Sequence, residues 1–142
     1  MNYFEQNIVD DVLVIKVNLP RASMNESAEL KNLLNEQTLL GNKKIVADLS
    51  ESSSLDSTFI GVLVLIHKEL ITKGGELKLV EPLEPAKELF HLTGVAKIFN
   101  TYDTVEEAVN TFNNGVAPKE KVKSDFEDKP GKKVEWDFGG AI

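Results

Sequence analysis

Cysteine is missing from the 142-residue chain. Its absence excludes disulfides, thiolate nucleophiles and cysteine-bound metal centres, and it suits a reducing compartment. Histidine is scarce: His67 and His91 are the only two, and neither sits in a metal-ligand spacing. No apolar run is long enough to cross a bilayer, since the longest, Phe59 to Ile66, falls far short of the roughly 20 residues a spanning helix needs. The start, Met1-Asn2-Tyr3-Phe4-Glu5-Gln6, has neither the basic segment nor the apolar stretch of a signal peptide. A cytoplasmic location is the expectation. Positive charge is in short supply as well: 16 basic against 23 acidic residues leave a net charge of −7. Such a surface repels phosphate backbones and anionic membranes, so nucleic-acid binding and membrane insertion are not expected. It is better matched to a protein partner with a basic face. A phosphate-cradling glycine loop is also missing, because Gly74-Gly75 reads as a turn. Ser57 has no recognisable base or oxyanion motif beside it. Neither enzymatic activity nor a cofactor is expected.

What is present is the composition of an ordinary globular protein, with 42% apolar and 27% charged residues. Regular patterns run to about Asn114, after which the character changes. Residues 116–142 hold six lysines and six acidic residues, so the whole −7 resides in the part before them. The expected organisation is one domain over residues 1–114 and a polar, mobile tail over 115–142. Val134-Glu135-Trp136-Asp137-Phe138 could serve as a docking peptide, but an untethered aromatic pair is the simpler reading.

Within the domain, Phe4–Ile8 and Val12–Leu19 read as strands joined at Asp10-Asp11, and Leu13, Ile15, Val17 and Leu19 share one face. Ser23-Met24-Asn25-Glu26 has capping-box spacing. Leu30, Leu33 and Leu34, with Leu40 as a further candidate, then form an apolar helical stripe that ends at Gly41. Lys44 to Leu49 is a short apolar run of the kind buried on both sheet faces. A serine-rich bend leads to Asp56-Ser57-Thr58 and a helix as far as Thr72, with Phe59, Val62, Leu63, Ile66 and Leu70 as its buried stripe. Glu76 to Glu81 alternates like a strand. Pro85 to Leu92 reads as a helix with Leu89 and Phe90 inward, and Ile98 to Tyr102 as a last strand. Asp103-Thr104-Val105-Glu106 starts a final helix with Val105, Ala108, Val109 and Phe112 on one side. The order β-β-α-β-α-β-α-β-α implies an α/β fold, with a mixed sheet of four to five strands and about four helices.

Three segments in this order carry a resemblance. Lys44 to Val64 (K-I-V-A-D-L-S-E-S-S-S-L-D-S-T-F-I-G-V-L-V), Gly74 to Val80 (G-G-E-L-K-L-V) and Leu89 to Phe99 (L-F-H-L-T-G-V-A-K-I-F) resemble the strand–loop–helix start, following strand and T-G signature of the STAS domain. This is the fold of bacterial anti-sigma factor antagonists. The resemblance covers roughly residues 3–113. It implies a phosphoacceptor at Ser57, with Asp56, Thr58 and Phe59 around it at a partner-binding surface. It also implies an anti-sigma factor that doubles as a serine kinase, and a serine phosphatase that resets the switch. Two positions depart from the family pattern. Phe59 stands where a small residue is usual, and Pro20-Arg21-Ala22-Ser23 lacks the acid usual before the first helix.

Read from the residues alone, Asp56 and Ser57 are helix caps, Gly94 is a left-handed helix end, and His67 is a helix-surface or satisfied core residue. Phe59 is either core or an exposed anchor, with core favoured. Two other uses of the same fold compete with the switch. One is an unphosphorylated scaffold subunit of a stress-signalling or lipid-transport complex. The other is a ligand-binding module in a two-component-like pathway.

Overall fold

A computed structural model of the chain describes residues 2–114. The expected tail, including Val134–Phe138, lies outside the described residues. A five-stranded mixed sheet forms the centre, in the order β1 (Phe4–Val9), β2 (Val12–Val17), β4 (Lys44–Asp48), β6 (Glu76–Val80) and β7 (Thr101–Tyr102). Strands β1 and β2 form the opening antiparallel hairpin. Asp10 and Asp11 turn it with φ of 50° and 72°. Two successive left-handed residues are what a two-residue turn needs to follow the strand twist, and aspartate tolerates that region better than most residues. Strands β4, β6 and β7 continue the sheet in parallel.

The apolar run at Lys44 to Leu49 becomes the central strand, covered on both sides. Ile45, Ala47 and Leu49 join the larger core, while Val46 joins the smaller one. The larger core is built against α1 (Met24–Leu39) and α2 (Ser57–Thr72), through Leu30 and Leu34 of the first and Phe59, Leu63, Ile66 and Leu70 of the second. The opposite face is covered by α5 (Val105–Asn114), whose Ala108 and Val109 meet Val12, Val14, Val46 and Val80. Lys78 points to this second face and is buried. Its Nζ donates to Thr111 Oγ1 at 2.8 Å and Tyr102 Oη at 3.2 Å, and lies 4.5 Å from the centre of the Phe112 ring. The ammonium thus fastens α5 to the sheet with its hydrogen-bonding groups satisfied.

Several sequence expectations are corrected. Leu40 is 70% exposed, because α1 ends at Leu39 and Gly41 turns the chain with φ of 94°. Leu89 is exposed, and only Phe90 of that pair reaches the core. The helix holding both is α3 (Ala86–Thr93). Gly94, at φ 85°, ends it in the left-handed conformation, and a short α4 (Val95–Ile98) restarts at once. Ile98 is therefore helical, and β7 is reduced to Thr101–Tyr102.

His67 is a satisfied core residue. Its Nδ1 accepts the Leu77 N–H at 3.2 Å, and its ring lies 5.0 Å from that of Phe99. Burial pulls its pKa from 6.5 down to about 4, and a hydrogen bond to the Ile98 backbone offsets part of that shift. Above pH 6.5 the ring is neutral in folded and unfolded chains alike. Between 6.5 and 4 only the unfolded chain takes the proton, so stability falls as the solution is acidified. Below 4 the folded chain protonates too and the loss levels off. This residue alone is expected to remove on the order of 2 kcal/mol between pH 7 and pH 5. Urea unfolding of the wild type and of His67→Gln at both pH values checks it. The variant should lose less on acidification, and equal losses would mean that His67 does not titrate as its burial dictates.

Candidate functional site

The chain enters α1 and α2 through two loops that are laced together. Arg21–Ala22 (β3) pairs in parallel with Ser54–Leu55 (β5), as a ladder separate from the main sheet. The Ser53 N–H donates to the Pro20 carbonyl at 2.9 Å, and the Asp56 N–H donates to the Ala22 carbonyl at 3.0 Å. Two helix N-termini are thereby brought side by side. Each carries amide groups that the helix itself cannot satisfy. On α1 the capping box forms as the sequence implies: the Ser23 side chain accepts from the first turn, and the Glu26 carboxylate accepts the Ser23 N–H at 3.0 Å.

Asp56 serves both helices. Its Oδ1 accepts the Phe59 N–H at 2.9 Å, which caps α2, and its Oδ2 accepts the Met24 N–H at 2.8 Å, the first amide of α1. One carboxylate therefore clamps two positively poled ends together. The sequence places a cap here, but it gives no sign of the second helix, which lies 32 residues away.

Ser57 follows immediately as the first residue of α2. It is exposed, and no hydrogen bond engages its hydroxyl among the described residues. Thr58 is exposed beside it. Phe59 is not part of this surface. It is fully buried and stacks on Phe4, with ring centroids 6.3 Å apart. The expectation that grouped it with the partner-binding residues is corrected: a side chain with no exposed area cannot touch a partner. Its place in the family pattern is taken over by packing against the edge strand. The acid-free segment Pro20-Arg21-Ala22-Ser23 lies along the same edge as Ser54 to Asp56, with Arg21 exposed.

Further along α2, Gly61 is exposed, and a Cβ built on it would meet nothing within 4 Å. Leu65 is half exposed. Glycine within a helix costs about 0.5–1 kcal/mol relative to alanine. Gly61 is the glycine that closes the Asp56-Ser57-Thr58-Phe59-Ile60-Gly61 run within the Lys44–Val64 segment, whereas nothing in the sequence singles out Leu65. Among the described residues no cluster of three or more histidine, aspartate or glutamate side chains is placed to hold a metal ion, and no helix is long and apolar enough to cross a membrane.

The sequence matches the profile of the STAS domain over residues 3–108. The chain belongs to the STAS family. A candidate anti-sigma factor antagonist of Thermotoga maritima is 37% identical over 109 residues, covering 75% of this chain and 94% of its own length. The crystal structure of a candidate antagonist from the same organism superposes with a TM-score of 0.69 at 32% identity, over 78% of this chain and 94% of the other. More distant in sequence, at 17% identity, is the anti-sigma factor antagonist SpoIIAA in its unphosphorylated form, with a TM-score of 0.62 over 80% of this chain and 99% of that one. Its phosphorylated form, from Bacillus, has a TM-score of 0.61 at 18% identity, over 77% of this chain and 98% of that one. At that identity the likeness is one of fold. The resemblance read from Lys44–Val64, Gly74–Val80 and Leu89–Phe99 is borne out.

Proposed function

We infer that this STAS domain is an anti-sigma factor antagonist that binds an anti-sigma factor with serine-kinase activity and is switched off by phosphorylation of Ser57. The observation that carries the reading is the position of Ser57. Its hydroxyl stands free on the first turn of α2, next to an aspartate whose two oxygens are already committed to holding that turn in place. A kinase can approach such a hydroxyl without unfolding anything. The product is also tolerated, because free amides and the positive helix end favour an anion. Phosphorylation adds a charge of about −1.5 to −2 on a surface that a partner must cover. The added charge must be desolvated when a partner covers it, which disfavours the complex. A serine phosphatase would restore the binding form.

In this reading Asp56 is the rigid support and Ser57 with Thr58 is the contact surface. Any basic face on the anti-sigma factor that matches the net charge of −7 would lie at the rim of the contact, away from Ser57, where an added phosphate meets an uncharged strip. The test is intact-mass analysis and phosphopeptide mapping after incubation with ATP and each candidate anti-sigma kinase from the same genome. One phosphate, at Ser57, is the expected result. No phosphate with any candidate would turn the reading toward an unphosphorylated scaffold subunit.

A further inference from the structure

A glycine in the middle of an exposed helix face needs a reason, and the free domain does not supply one for Gly61. It sits in the second turn of α2, its backbone is not in the left-handed region, and the space a methyl group would occupy is empty. Alanine would fit there and would favour the helix. Ser57, Gly61 and Leu65 fall at i, i+4 and i+8 and so make one row along the outward side of α2. Thr58 lies beside the row and is also exposed. From Ser57 to His67 the helix holds no charged residue, although the domain carries a net −7. An exposed strip without charge, with a half-exposed leucine at one end, has the composition of an interface core rather than of a solvated face.

We propose that Gly61 is a docking notch, over which a helix of the anti-sigma factor crosses α2 more closely than the usual 8–10 Å between packed helices, with Leu65 as its apolar anchor. The occupant follows from continuity. The notch is one turn from Ser57 on the same row, so a partner that covers Ser57 and extends along the helix meets Gly61 next and Leu65 after it. The missing side chain opens a gap in the ridge through which a crossing backbone can pass. The proposal rests on the antagonist reading and extends it two turns down α2. It makes Gly61 a residue kept for binding at a cost to folding.

Folding and binding should therefore respond to substitution in opposite directions. Gly61→Ala is expected to raise the melting temperature by about 2–5 °C, while weakening the complex roughly tenfold through overpacking of a tight contact. Gly61→Gln, a longer side chain with good helix propensity, should weaken it about a hundredfold or more. Ile71→Gln, on the same helix but at its far end, should bind as the wild type does. The measurements are thermal unfolding and calorimetric titration with each purified ATP-binding anti-sigma factor encoded in the same genome, with Ser57→Asp alongside. Wild-type affinity in both Gly61 variants, with Ser57→Asp weakened, would overturn the notch and leave the switch standing. A lower melting temperature for Gly61→Ala would also overturn it, because the fold would then require the glycine. No binding of the wild type to any of these factors would remove the switch and the notch together.

Discussion

Phe59→Ala should destabilise the domain by about 3–5 kcal/mol, the range for truncating a buried aromatic side chain. The upper part of that range is expected, for two reasons. Phe59 is among the largest fully buried side chains, so the lost volume has no route to solvent. It also sits where relaxation is hardest. Its backbone N–H is pinned by Asp56, its ring stacks on Phe4 of the edge strand, and the next turn of α2 is committed to the core through Leu63. Collapse of the cavity would have to pull α2 toward β1 and break the clamp to α1. Equilibrium urea unfolding measures the loss. A cost below about 1 kcal/mol would mean that the site collapses freely and that the Phe4–Phe59 contact does not set the position of α2. The side chain has no exposed area, so partner binding by the fraction that remains folded should stay close to that of the wild type. An exposed anchor would have behaved in the opposite way, with little change in stability and a large loss of affinity.

The contrast between Phe59 and its neighbours shows what could be read from the sequence. Elements whose signal is local were legible. The capping box at Ser23–Glu26, the two-aspartate turn, the doubly buried run at Lys44–Leu49 and the extent of α2 all follow from spacing and propensity within a few residues. The site was legible in part, because the Asp56-Ser57-Thr58 segment starts a helix by its own chemistry. What was hidden depends on partners distant in sequence. The β3–β5 ladder has two residues per strand, too few for any periodicity, and it forms only because both loops leave the same end of the sheet. The second oxygen of Asp56 is taken by an amide of another helix. Lys78 looks like the polar member of an alternating strand, yet α5 closes over it and supplies Thr111 and Phe112 to receive its ammonium. Leu89 satisfies the helical pattern and still faces out, because α3 has only eight residues and one face of it is enough to bury Phe90.

The proposed switch assigns support to Asp56 and contact to Ser57, and the second large effect rests on that division. Ser57→Asp should weaken binding of the anti-sigma factor by tens to thousands of times, which corresponds to the roughly 2–5 kcal/mol cost of an uncompensated charge in a packed interface. Ser57→Ala should bind as the wild type does and accept no phosphate. Folding should be indifferent to both changes. Ser57 lies in the first turn of α2, where a carboxylate meets the positive helix end and is mildly favourable, typically by about 0.3–1 kcal/mol. The cap itself belongs to Asp56 and is untouched. The aspartate variant is thus expected to be as stable as the wild type, or slightly more so, while its affinity drops. That combination distinguishes a charge placed in an interface from damage to the helix. Aspartate carries one negative charge against about −1.5 to −2 for the phosphate, and less bulk, so true phosphorylation should weaken the complex further still. Calorimetric titration of the three forms against the same anti-sigma factor would order them as alanine and wild type together, then aspartate, then phosphoserine. Equal affinities for wild type and Ser57→Asp would mean that Ser57 lies outside the contact, and electrostatic exclusion at the start of α2 would then no longer explain how the complex is released.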